Sequence, residues 1–200
     1  MMATLTQRWL AVWIAGMGLV GGRAAASDLF TPCWRGQAGS TVQTWRFDTN
    51  ANPAQPEAGT NPYGGADATM VVGPFGSGWL NRLSSLGTNT GYWDLGRTGT
   101  MTLTIPNRTD ASTNSYKDVW VQVTQWQDGG IYNEYAAVSI PGATLLGGQR
   151  QLVVNGIANG GWWLDLTRWR LAPNPVSETI LITSAFNGSV IDQVVVDTRC

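Results

Sequence analysis

Two short runs hold most of the residues that could do chemistry. The stretch Asp118–Trp126 reads DVWVQVTQW. In a strand, successive side chains point to opposite faces, so Val119, Val121 and Val123 share one side and Trp120, Gln122, Thr124 and Trp126 the other. The run WWLDLTRWRL, introduced by Gly160-Gly161, repeats that order: Trp163, Asp165, Thr167 and Trp169 stand opposite Trp162, Leu164 and Leu166. Indoles stack on the C–H face of a sugar ring, while amides and carboxylates take its hydroxyls in a largely preformed site. Trp120, Gln122, Trp126, Trp163, Asp165 and Trp169 therefore form a candidate carbohydrate site, provided that their strands are neighbours in one sheet. The competing expectation is that these indoles pack beneath the N-terminal segment or a proline-rich loop, because Trp is mostly buried in folded chains.

Other chemistries are narrowed by what the sequence omits. It contains no histidine, which removes Ser-His-Asp and Cys-His machinery and disfavours a catalytic zinc site. Carboxylates remain, since a glycosidase needs only two of them about 5 to 9.5 Å apart. Asp165 with Asp94 is the pair to examine, against the plainer reading of Asp residues at turns and strand ends. The three glutamates, Glu57, Glu134 and Glu178, form no evident constellation. Asn107-Arg108-Thr109 and Asn187-Gly188-Ser189 match glycosylation acceptors.

The start of the chain predicts export. Arg8 precedes an apolar run from Trp9 to Gly22, and Ala24-Ala25-Ala26 supplies small residues at a cleavage position, the pattern of a signal peptide over residues 1–26. The run is shorter than the ~17 residues that cross a bilayer, so no membrane insertion is expected once the leader is removed. Residues 27–200 are then one domain, secreted or at the cell surface. Of the twelve basic residues, Arg8 and Arg23 leave with the leader, so ten remain against thirteen acidic ones, and Lys117 is the only lysine. Such a surface argues against nucleic acid as a partner. Cys33 and Cys200 would meet an oxidising compartment and are expected to bond to each other. The alternative is that the sequence is cut from a longer chain and Cys200 pairs elsewhere.

The elements that must position these residues read as strands. Thr41–Asp48, Ala68–Val72, Gly91–Leu95, Thr100–Ile105, Val119–Trp126, Glu134–Ile140, Arg150–Val154, Trp162–Leu171, Glu178–Thr183 and Ser189–Thr198 carry β-branched or aromatic residues, several in clean alternation. Residues Thr49–Gly65, with Pro53, Pro56 and Pro62, predict a long loop. Trp79–Leu86 alone has weak helical spacing, though so short a run fits a single turn or a strand equally well, and Asn107–Ser115 is a polar turn. The architecture expected is all-β: an antiparallel β-sandwich of the jelly-roll type, which buries two inner faces.

Taken together, CWRG at Cys33, NPYGG at Asn61, GYWDL at Gly91, DVWVQV at Asp118, GWWLDL at Gly161 and SVIDQVVVDT at Ser189 resemble a group of exported bacterial proteins often followed by a PEP-CTERM sorting tail. Their domains are similar to galactose-binding and carbohydrate-binding jelly rolls. This sequence departs from the tailed members by ending at Cys200 without a Pro-Glu-Pro motif, which leaves cell-surface sorting an open expectation. It implies a structural calcium, with Asp192 as the acidic residue of the last strand and Asp28 or Asp48 as a partner; otherwise Asp192 is an ordinary edge residue. The function expected is a non-catalytic module that binds carbohydrate or another extracellular polymer. The alternatives are a structural or adhesive surface component without a sugar site, and a carboxylate-based glycan-active enzyme using Asp165.

Overall fold

A computed structural model of the protein describes residues 28–81, 91–108, 116–127, 134–155 and 160–200. The expected leader and most of the Trp79–Leu86 and Asn107–Ser115 stretches lie outside these residues. The described residues form twelve strands and no helix: β1 Ser40–Trp45, β2 Ala58–Thr60, β3 Asp67–Val71, β4 Gly78–Asn81, β5 Gly91–Asp94, β6 Thr100–Pro106, β7 Lys117–Gln127, β8 Ala137–Ser139, β9 Ala143–Asn155, β10 Gly161–Leu171, β11 Ser177–Thr183 and β12 Val190–Arg199.

They pair as two antiparallel sheets. The larger has the order β2-β1-β12-β7-β10-β9, with β5 joined to β12 and β4 to β5; the smaller has the order β3-β6-β11-β8. The chain changes sheet at every connection except β1–β2, β4–β5 and β9–β10, the alternation between layers that a jelly roll uses. The sequence dictates this through period-two burial. In β6, Met101, Leu103 and Ile105 are fully buried while the threonines between them are not. These side chains, with Ile180 and Ile182 of β11, meet Val119, Val121, Val123, Val194, Val196 and Trp45 of the larger sheet in one core. Each such aliphatic side chain contributes about 2 kcal/mol on burial, so both sheets are held by their inner faces.

Three expectations change. The proline-rich loop contains a strand, β2, that pairs with β1. A Cβ at Gly59 would lie 2.2 Å from the Val42 carbonyl oxygen, so a residue without one is required there. The strand expected at Arg150 begins earlier, at Ala143, because the Gly147-Gly148 pair sits within the ladder and does not end it. Cys33 and Cys200 are not bonded. Cys33 is in an exposed turn over the outside of the larger sheet, whereas the Cys200 thiol has Lys117, Glu178 and Asn174 around it, on the core side. The backbone N of Cys200 donates to the Gly39 carbonyl, just ahead of β1.

Candidate functional site

The two aromatic runs do lie side by side, since β10 pairs with β7 along its whole length. Their register sets Trp163 opposite Gln125, Asp165 opposite Val123 and Trp169 opposite Val119, while Trp120 faces Arg168, Gln122 faces Leu166 and Trp126 faces Trp162. Directly opposed residues share a face. The six candidates are thus divided: Trp163, Asp165 and Trp169 are on the core side, and Trp120, Gln122 and Trp126 are on the outer side.

Neither half forms an open platform. On the outer side, the segment Asp28–Trp34 lies across the sheet. The Gln122 amide accepts from Phe30 N at 3.0 Å and donates to the Phe30 carbonyl at 3.2 Å and to Asp28 at 2.8 Å. Trp34, itself buried, meets Trp120 edge-on with ring centroids 6.2 Å apart. Arg35 forks onto Asp28 and the buried Asp197. On the core side, Asp165 pairs with Arg150 and accepts from Gln125 Nε2 at 2.5 Å. Trp163 packs edge-on to Tyr135, and Trp169 belongs to the core, its indole N–H donating to Thr167 Oγ1 at 2.9 Å.

One of the six, Trp126, leads to an open site. It lies at the end of the sandwich where β7 stops and β12 starts, beside a cleft of about 510 Å³. Three loops contribute to its lining, with Phe75 between β3 and β4, Arg97 between β5 and β6, and Phe186 between β11 and β12; Asp94, Gln127 and Glu134 also line it. Phe75 is 89% exposed and Phe186 58%, unusual for rings that could have joined the core. The Arg97 guanidinium lies 3.3 Å from the centroid of the Phe186 ring, a cation–π stack that fixes both.

These loops are stapled together by their own backbones. Gly73 N donates to the Leu95 carbonyl at 2.9 Å, Arg97 N to Pro74 at 2.8 Å and Leu95 N to Ser189 at 3.0 Å. Asp94 accepts from Ser77 N and Gly96 N, each at 3.0 Å, so this carboxylate shapes the rim. Phe75 is held at φ 65°, a left-handed conformation that costs a residue with a side chain about 1 kcal/mol. A preformed cleft of this size, with rings and a few polar groups, has the features of a small-ligand or polymer-end site.

Of the proposed calcium residues, Asp192 is buried at an irregularity in the β12–β7 register, Asp28 is engaged by Arg35 and Gln122, and Asp48 lies 3.7 Å from Arg46. No three or more His, Cys, Asp or Glu residues gather as a metal site among the described residues. Asn107 is buried, which is incompatible with a glycan on the folded protein, whereas Asn187 is in an exposed turn. The reading by strand faces passed over Phe75, Arg97 and Phe186 because they are in turns. For the two phenylalanines the signal was a large ring set among turn formers, as in GPFGSG and FNG.

Comparison with known proteins gives no match: no family model fits the chain, and no curated protein or solved structure is significantly similar to it.

Proposed function

We propose that the protein is an exported, non-catalytic binding module for carbohydrate or a related extracellular polymer, and that its site is the cleft at the β7–β12 end. The observation that carries this reading is the exposure of Phe75 and Phe186 on loops that are locked in place. Rings left in water on a rigid frame lose little entropy on binding and offer flat apolar surface to a sugar. Arg97, Glu134 and the backbone groups of the 186–189 turn supply hydroxyl partners around them.

The test is titration of the purified protein with soluble and insoluble polysaccharides, among them xylan, cellulose, chitin and galactan. Binding to at least one is expected, and Phe186→Ala or Trp126→Ala should weaken it about tenfold, the equivalent of ~1.4 kcal/mol for a lost stacking partner. Trp120, beneath Trp34 on the outer face, is the control: Trp120→Ala should leave affinity unchanged. Absence of binding to every polysaccharide would remove the proposal.

A further inference from the structure

At the opposite end of the sandwich from the cleft, three polar side chains meet between the sheets. Lys117 opens β7 in the larger sheet, Glu178 lies at the start of β11 in the smaller, and Asn107 directly follows β6. Their relative exposures are 0%, 1% and 1%. The single lysine of the chain is therefore one of its most deeply buried residues, against the strong tendency of lysine to stay in water.

The cluster is close but poorly satisfied. Lys117 Nζ lies 3.0 Å from Glu178 Oε2, and the Asn107 side chain also acts on the Glu178 carboxyl. Even so, Nζ, both carboxyl oxygens and Asn107 Oδ1 have no well-aligned hydrogen bond. The Asn107 amide is oriented from behind, its Nδ2 donating to the Pro175 carbonyl at 2.9 Å and its backbone N to Val176 at 2.9 Å. A buried amine and carboxyl held this way carry a large desolvation penalty with little return. Joining amine to amide would remove the charge and the penalty together.

We propose that Lys117 and Asn107 become linked by an intramolecular isopeptide bond, with Glu178 as the catalytic residue that carries the proton. Glu178 takes a proton from the Lys117 ammonium, which leaves Nζ with a lone pair. That pair attacks Asn107 Cγ, forming the new C–N bond, while the carboxyl proton of Glu178 hydrogen-bonds to Oδ1 and polarises the carbonyl. The tetrahedral intermediate collapses as the Cγ–Nδ2 bond breaks. Of the two protons shed by Nζ, Glu178 passes one to Nδ2, which departs as ammonia, and keeps the other on its carboxyl; no oxidant or cofactor is consumed. Burial raises the pKa of Glu178 above its ordinary 4.5, against the opposing pull of Lys117 and Asn107, so the carboxyl can hold the proton it must pass on. Exclusion of water from the site favours the amine over hydrolysis. The product ties β6 of one sheet to β7 of the other.

Mass spectrometry of the intact chain, denatured, tests this directly. The expected mass is lower than that of the sequence by one ammonia, and proteolysis should release a branched peptide joining Asn107 to Lys117. Lys117→Arg should abolish both signals, Glu178→Gln should abolish or greatly slow them, and each should lower the melting temperature. The wild-type branched peptide is decisive even if a variant fails to fold. Its absence overturns the proposal, including the case of an ammonia lost by cyclisation of an Asn onto its own backbone, which leaves no branch. Full retention of the bond in Glu178→Gln overturns the role given to Glu178.

Discussion

Burial pushes the Cys200 thiol above its ordinary value of 9.0, a shift that nearby Lys117 moderates and Glu178 reinforces. Only the thiolate is nucleophilic, so a raised thiol reacts slowly at any pH below its own titration. Cys33 is exposed in its turn. Iodoacetamide applied to the native protein below pH 9.0 should therefore modify Cys33 first and Cys200 much more slowly, with the Cys200 rate climbing as the pH is raised. Peptide mapping after timed quenching measures both. Protection of both thiols until a reductant is added would contradict the separation of the two cysteines, and equal rates would contradict the burial of Cys200. The same surroundings decide Lys117: one residue type, placed between two sheets beside a carboxyl, changes from a solubilising charge into a reactive amine.

Among the elements, the segment Asp28–Trp34 has the largest effect on what the larger sheet can do. It treats the outer face as a second core: Phe30 pairs with the Gln122 amide as though with a neighbouring backbone, and Trp34 fills the space over Trp120. Trp34→Ala should cost about 3 kcal/mol, in the range for large-to-small changes at buried rings. It should also expose Trp120, which urea unfolding and Trp fluorescence would register. A change of less than about 0.5 kcal/mol would mean that the segment is only loosely laid on the sheet. This covering also explains which parts of the structure were legible in the sequence. Strand positions could be read from period-two alternation in runs such as TMTLTI and DVWVQV, because β6 and the inner face of β7 meet one core. The faces of β10 could not, because both are buried: Leu164 and Leu166 lie against the outer side, Trp169 against the inner. With apolar residues on both sides, the pattern no longer indicates which face joins Trp120. That choice rests on the β10–β7 register, a long-range property fixed by how the strands close. The cleft was harder still, since it is assembled from three loops far apart in the chain and contains one of the expected six residues.

Across the whole molecule, the two proposed sites occupy opposite ends of the same strands. β7 runs from Lys117 to Trp126 and Gln127, and β12 from Val190 beside the cleft to Arg199 near Cys200, with the shorter β6 and β11 facing them in the smaller sheet. A covalent tie at one end would restrain separation of the sheets and constrain the unfolded chain, as any cross-link does. The cleft loops are already locked to each other by hydrogen bonds at their own end. Effects at sites that share no partners add to within about 0.5 kcal/mol, so the two functions should be separable. Lys117→Arg is expected to lower the melting temperature while leaving polysaccharide affinity within about twofold, which is that same 0.5 kcal/mol expressed as a binding ratio. Phe186→Ala should weaken binding yet retain the branched peptide in full. Calorimetric melting, titration and peptide mapping on the two variants and their combination would measure this. A folded Lys117→Arg protein that no longer binds would show that the cleft takes its shape from the tie between the sheets, because its own loops would then be insufficient to hold Phe75, Arg97 and Phe186 in place.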